Sequence, residues 1–249
     1  MTGKRRVRID LEYLGANYVG WQVQPDGVSV QAVVERALST LVNYPARVTA
    51  SGRTDAGVHA LLQPTNADVA TRLSDADILR GMNALLPDDI AVKRVVTVSP
   101  GWHARYSAKE KTYVYTILNR PCPSAFLSGR VWHIRTPLDV EAMRAAASEL
   151  VGEHDFSSFR SSGCSARSAV RRLERLEIEK ENDTLRLTLT ANGFLKQMVR
   201  NIVGALVEVG RGKEEPSWTG RVLRERDRTK AGPCAPPYGL CLVDVVYGQ

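Results

Sequence analysis

Three observations predict an α+β fold made of two similar halves. Strand-like and helix-like stretches are mixed without the regular βαβ alternation of a parallel sheet. Residues 173–180 and 184–191 flank Glu181-Asn182-Asp183 and read as a hairpin. The style of the chain repeats on either side of Ser99-Pro100-Gly101, the stretch that best marks a boundary, so the expected domains are 1–101 and 102–249. A chain of 249 residues is long enough for two modest cores.

Each element has its own signal. Val7-Arg8-Ile9-Asp10-Leu11-Glu12-Tyr13 alternates strictly, as a half-buried strand does. Residues 15–27 read as loop and contain Gly20-Trp21-Gln22. Ser29 then caps a helix whose Val30, Val33, Val34, Ala37, Leu38, Leu41 and Val42 recur at helical spacing. Residues 48–50 form a short strand. Ser74 caps a second helix carrying Ile78, Met82 and Leu85, which Pro87 ends, and 91–98 is a strand. In the second half, 112–118 is a strand and 138–151 an Ala-rich helix. Leu185, Leu187 and Leu189 alternate with polar residues in the second strand of the hairpin. A helix over 195–209 is closed by Gly210 in a position favouring positive φ. Another helix follows Ser217, and 240–247 is the last strand.

Hydrophobic and charged fractions of 43% and 24% belong to a soluble globular protein. No apolar run approaches the roughly 20 residues needed to cross a bilayer. The start, Met1-Thr2-Gly3-Lys4-Arg5-Arg6, leads into alternating charge rather than an apolar signal core, so a cytoplasmic protein without a membrane partner is expected. Lys4, Arg5 and Arg6 read as a frayed, solvated end. Cys122, Cys164, Cys234 and Cys241 form no C-x-x-C, and His59, His103, His133 and His154 are equally scattered. Reduced thiols and no metal site are the expectation. The net charge of +7 favours a polyanionic partner. An aromatic content of 6% argues against an open sheet of many stacking rings.

The chemistry concentrates in Ala50-Ser51-Gly52-Arg53-Thr54-Asp55-Ala56-Gly57-Val58-His59-Ala60. Gly52 and Gly57 bracket a short loop, and glycine tolerates positive φ and close approach by a ligand. Between them a carboxylate, Asp55, follows an arginine, Arg53, and can serve as nucleophile or base. Read from its residues alone, the same loop could be a surface turn in which Asp55 bonds its own backbone. A second group is Trp102-His103-Ala104-Arg105-Tyr106 followed by Lys111-Thr112-Tyr113-Val114-Tyr115. On a strand, Lys111, Tyr113 and Tyr115 share one face. That face suits a stacked base held beside cations, or a tyrosine pair packed into a core. The third group is Phe194-Leu195-Lys196-Gln197-Met198-Val199-Arg200-Asn201-Ile202-Val203-Gly204, where Lys196, Arg200 and Asn201 lie off the apolar face.

These three strings resemble the motifs of the TruA family of tRNA pseudouridine synthases. Asp155-Phe156-Ser157-Ser158-Phe159-Arg160 with Cys164, Ala235-Pro236-Pro237-Tyr238-Gly239-Leu240 and Gly20-Trp21-Gln22 extend the similarity over essentially the whole chain. Two positions depart from it. Leu14 stands where family members usually carry Asp before Gly15. Leu62-Gln63-Pro64-Thr65-Asn66 replaces a β-branched strand, and Pro64 implies an edge position or an altered strand start.

The resemblance implies two halves, each a mainly antiparallel sheet with helices on one face, around a central cleft. It implies isomerisation of uridines 38, 39 and 40 in the tRNA anticodon stem-loop, without metal, ATP or redox cofactor. Asp55 would act on the flipped nucleotide, at the ribose C1′, through a glycal, or at C6 of the ring. Tyr113 would stack on the uracil, Arg53 would fill the gap left behind, and Arg200 would reach Asp55. Lys109, Lys111, Arg167, Arg171 and Arg172 are candidates for a basic tRNA-binding surface. A homodimer is implied, with one tRNA touching both subunits. A non-catalytic tRNA-binding or tRNA-folding protein, a synthase for other RNA positions and a carboxylate-dependent hydrolase remain alternatives at this point.

Overall fold

The computed structural model describes residues 3–248 and has an α+β architecture. It divides into two compact units, Met1–Lys109 with Leu242–Gln249, and Glu110–Cys241.

In the first unit, β1 (Arg5–Tyr13), β2 (Thr49–Ala50), β3 (His59–Val69) and β4 (Ile90–Val98) are joined by α1 (Val30–Val42) and α2 (Asp75–Leu85). β1 pairs antiparallel with β4 on one side and β3 on the other, and β2 pairs antiparallel with β3. The strict alternation of β1 buries Val7, Ile9 and Leu11 completely. Burial is worth about 1.5–3 kcal/mol for each such side chain. α1 begins where Ser29 accepts the N–H of Ala32 and turns Val30, Val33, Val34, Ala37 and Leu38 inward. α2 opens with a reciprocal capping box between Ser74 and Asp77 and packs against β4 and α1.

Arg5 and Arg6 lie within β1 rather than in a solvated end. The Arg6 guanidinium grips both oxygens of Asp68, at 2.7 and 2.9 Å, and reaches the carbonyls of Pro100 and Trp102. Such a planar, two-point pairing orders a segment that composition alone reads as solvated.

The second unit contains most of β5 (Ala108–Asn119), then β6 (Trp132–Ile134), α3 (Val140–Ser148), β7 (Gly152–Asp155), β8 (Val170–Glu181), β9 (Thr184–Ala191), α4 (Met198–Gly210) and α5 (Trp218–Glu225). Its strands run in the order β5-β9-β8-β7, antiparallel throughout, with β6 parallel to β5. The expected hairpin is β8–β9, and Asn182 takes the left-handed conformation (φ 52°) its turn requires. α3 lies on β8 and against α4, and α5 packs on both helices.

α4 departs from expectation at both ends. It begins at Met198, after Gln197 in a left-handed conformation (φ 58°). Gly210 is its last helical residue, and the positive φ falls instead on Gly212 (69°). Gly210 is small for another reason: a Cβ there would stand 2.6 Å from the Met143 sulfur on α3. α4 is buried nearly all round, so Asn201, expected off the apolar face, is wholly inaccessible. Its amide donates to the Phe159 carbonyl at 2.8 Å, and its oxygen accepts from Arg228 at 2.9 Å.

The units change over between Lys109 and Glu110, beyond Ser99-Pro100-Gly101, and the last strand, β10 (Leu240–Tyr247), carries the chain back into the first unit beside β3. The segment after Gly101 stays with the first unit because the Ala104 N–H donates to Asn66 at 2.9 Å and the Tyr247 hydroxyl to the Ala104 carbonyl at 2.8 Å.

Candidate active site

The Asp55 loop begins where β2 runs out against Pro64. β3 lies between β1 and β10, so Pro64 is neither on an edge strand nor at a strand start. Thr49 and Ala50 pair with Asn66 and Thr65. At the next step the Ser51 N–H donates to the Pro64 carbonyl at 2.9 Å. Proline has no N–H to return the bond, so the ladder stops and the chain leaves as a loop. The departure from the family pattern at Pro64 thus sits inside a central strand, where it ends the pairing that delivers the site.

Beyond that point the loop is held by buried polar contacts. Gln63 is completely inaccessible. Its oxygen accepts the Ser51 hydroxyl at 2.6 Å, and its amide donates to the Gly52 carbonyl at 2.9 Å. The hydroxyls of Tyr13 and Thr54 lie 2.8 Å apart, both in buried side chains. The Val58 N–H closes a turn onto the Asp55 carbonyl at 3.1 Å, and Gly57 takes φ 77°. Gly52, the other glycine bracketing the loop, does not adopt positive φ.

The stretch between β1 and α1 braces the loop from behind. The Trp21 N–H donates to the Thr54 carbonyl at 3.1 Å, and the Gly57 N–H to that of Tyr18 at 3.4 Å. A Cβ on Gly20 (φ 104°) would meet the Thr54 carbonyl oxygen at 2.8 Å, and one on Gly15 would meet that of Val58 at 2.0 Å. Only glycine permits these backbones to touch. The Gly15 N–H donates to His59 Nδ1 at 2.9 Å, so this nitrogen of the buried His59 ring is an acceptor. Leu14, the other departure, keeps its side chain exposed while its N–H donates to the Asp89 carbonyl at 2.9 Å. Asp89 also takes the Tyr18 hydroxyl at 2.5 Å. Burial first, then that bond, pushes the Tyr18 phenol up from its ordinary value.

Within this frame Thr54 is buried, Asp55 half-buried and Arg53 exposed. The first unit therefore brings Arg53 and Asp55 together on one braced loop. Gln63, Tyr13, Gly15 and Gly20 are the supporting residues that reading the sequence missed. The strings Leu14-Gly15, Gly20-Trp21-Gln22 and Leu62-Gln63-Pro64 drew attention to three of them, without saying what each touches.

The second unit carries Tyr113 and Arg200. On β5 both Tyr113 and Tyr115 are buried, as period-two spacing on one face requires. Tyr113 stands edge-on to Phe194, with ring centroids 5.2 Å apart. Tyr115 donates its hydroxyl to the Pro236 carbonyl at 2.8 Å. Burial and the nearby Tyr238 push its phenol well above the ordinary value, against the opposing charge of Arg200. Arg200 is half-buried and is set by two bonds to one residue. Its Nε donates to the Ala235 carbonyl at 2.8 Å, and its own carbonyl accepts the Ala235 N–H at 3.0 Å. Gly204, one turn on, admits the Pro233 carbonyl, which would lie 1.8 Å from a Cβ. The Ala235-Pro236-Pro237 string thus locks both Arg200 and Tyr115.

Among the basic residues singled out earlier, Lys109 and Arg167 are exposed and Lys111 half-buried. Arg171 turns back to the carbonyls of Ser168 and Val170, and Arg172 pairs with Glu174.

A protein family described as tRNA pseudouridine synthase matches residues 11–107 and 146–248. Those stretches hold Arg53, Asp55 and Arg200, and Tyr113 falls between them. The tRNA pseudouridine synthase A of Methylococcus capsulatus is 46% identical over 244 residues, spanning 98% of this chain and 90% of that protein. The protein of the same name from Geotalea uraniireducens is 45% identical over 245 residues, spanning 98% and 100%. That from a Thermoanaerobacter species is 44% identical over 243 residues, again spanning 98% and 100%.

Proposed function

As a member of the tRNA pseudouridine synthase family, the chain is an isomerase that converts uridine in tRNA to pseudouridine, and we propose that it acts at positions 38, 39 and 40 of the anticodon stem-loop with Asp55 as nucleophile. The observation that carries this reading is the Asp55 loop. A half-buried carboxylate is displayed on backbone held by Gln63, Thr54, Gly20 and Gly15, with an exposed arginine two residues before it.

The reaction breaks the bond from N1 to C1′ and makes one from C5 to C1′. The C5 hydrogen leaves as a proton and N1 takes one up, so product and substrate are isomers. The Asp55 carboxylate starts the exchange, by promoting departure of uracil from the ribose or by adding to C6. Either path needs the nucleotide out of the helix, at a cost of a few kcal/mol in lost stacking and pairing. Tyr113 is assigned to stack on the extruded uracil, worth about 1–3 kcal/mol in comparable sites. Its edge-on packing against Phe194 supports that role by fixing the ring. Arg53, exposed on the loop, is assigned to the gap the nucleotide leaves. Arg200, with its Nε committed to Ala235, is assigned as the cation that orients the Asp55 carboxylate. A positive net charge suits recognition of tRNA by shape and backbone. The same reading makes the working unit a cytoplasmic homodimer that holds one tRNA across both copies.

Carbodiimide mapping of pseudouridine in an unmodified tRNA transcript, after incubation with the protein, tests the position assignment. Stops at 38, 39 or 40 are expected. Stops only at other uridines would reassign the site.

A further inference from the structure

The loop from Pro100 to Ser107 is anchored in a way that the chemistry at Asp55 does not explain. Arg6 holds the carbonyls of Pro100 and Trp102, Asn66 takes the Ala104 N–H, and Tyr247 bonds the Ala104 carbonyl. The Trp102 ring packs on that of Tyr247 at 4.9 Å, and the Arg8 guanidinium lies 5.6 and 4.9 Å from the two ring centroids. Ser107 closes the turn, donating its N–H to the His103 carbonyl and accepting the His103 N–H on its hydroxyl. Arg6, Arg8, Asn66 and Tyr247 thus fix a short segment that leaves the side chains of Arg105 and Tyr106 exposed side by side.

Tyr106 leaves 78% of its surface exposed, yet its ring is not loose. It leans on the His103 ring with centroids 4.3 Å apart and a 35° tilt. His103 Nδ1 in turn accepts the N–H groups of Arg105, at 3.1 Å, and Tyr106, at 3.3 Å. Burial, then the charges of Arg6 and Arg105, lower the His103 pKa and favour the neutral ring that this acceptor role requires. The Arg105 guanidinium stands 5.9 Å from the Tyr106 centroid. An aromatic ring held in place with its surface open, beside an exposed arginine, has the two parts of a nucleotide site. The ring stacks on a base, and the cation serves the phosphate.

We propose that Tyr106, supported by His103 and flanked by Arg105, is a stacking site for an unpaired nucleotide of the tRNA, separate from the uridine that reacts. The proposal rests on the synthase reading for the identity of the RNA. The net charge of +7 and the arginine at the ring favour a polyanion over an apolar protein partner.

The test measures the affinity of unmodified tRNA for the wild type, Tyr106→Ala, Tyr106→Phe and Arg105→Ala at fixed salt, with a fully paired RNA duplex as comparison. Tyr106→Ala is expected to weaken tRNA binding roughly 5- to 100-fold. Tyr106→Phe should stay within about twofold of wild type, because stacking needs the ring and not the hydroxyl. Arg105→Ala should lower the salt slope of log K by about 1. Unaltered affinity in Tyr106→Ala would overturn the proposal, as would equal losses in the alanine and phenylalanine variants or an equal loss on the duplex. If wild type binds tRNA and makes no pseudouridine while Tyr106→Ala still weakens binding, the synthase reading fails and the stacking site stands.

Discussion

Replacing Gln63 with leucine would keep the side chain's bulk and remove one partner each from the Ser51 hydroxyl and the Gly52 carbonyl. Losing such a partner in a buried setting costs about 1–3 kcal/mol. Gln63→Leu is therefore expected to lower the denaturant midpoint and, by loosening the Asp55 loop, to cut single-turnover rate at unchanged tRNA affinity. Full turnover in a destabilised variant would show that Gln63 serves the strand alone. Residues of this kind explain what could be read at this scale beforehand. The loop that carries Asp55 and the positive φ of Gly57 were legible because both are written in neighbouring residues. Gln63, Gly15 and Gly20 were not, because each acts on backbone distant in sequence. Pro64 was legible as unusual and misread as an edge position or an altered strand start. Which of its sides lacks a donor depends on where β2 ends, and no local pattern encodes that.

At the scale of elements, α4 joins the string around Arg200 to the 233–235 segment through bare backbone contact. Gly204→Ala would set a Cβ 1.8 Å from the Pro233 carbonyl, against backbone on both sides. Overpacking of this sort costs about 1–3 kcal/mol or more. Thermal unfolding should show a clear loss for Gly204→Ala and almost none for Gly101→Ala, where nothing lies within 4 Å. Equal midpoints would mean that α4 shifts to relieve the contact and that Arg200 is less firmly set. Helices and strands themselves were largely readable, since Ser29 and Ser74 cap where hydroxyl residues should and β1 alternates as a half-buried strand does. The ends of α4 were not. Periodicity across Leu195-Lys196-Gln197 is helical, and only the left-handed turn at Gln197 delays the start to Met198.

For the whole molecule, acid sensitivity follows from which groups the fold perturbs. Arg6 bonded to Asp68 holds that carboxyl below the usual range, and Ser157 does the same for Asp155. The unfolded chain then binds protons more readily than the folded one as pH falls. These contributions are present above the ordinary carboxylate value of about 4 and are lost as pH drops through the lowered values. His103 is also lowered, so its contribution is lost earlier, as pH falls below about 6.5. Urea unfolding across pH should show stability declining on acidification, most steeply below about 4, and Asp68→Asn should flatten the steep part. Stability that rises from neutral to acid would contradict this assignment. The changeover between Lys109 and Glu110 was not marked in the sequence, which pointed to Ser99-Pro100-Gly101. Nor was the return of β10 to the first unit, because a terminal strand carries no mark of the sheet it joins. The central claim, that Asp55 drives exchange of the glycosidic bond, is tested most directly by tritium release from tRNA labelled at uracil C5. Forming the new bond must expel that hydrogen. Wild type is expected to release tritium and Asp55→Ala to release none while still binding tRNA; release by the Asp55→Ala variant at the wild-type rate would contradict the assignment of Asp55.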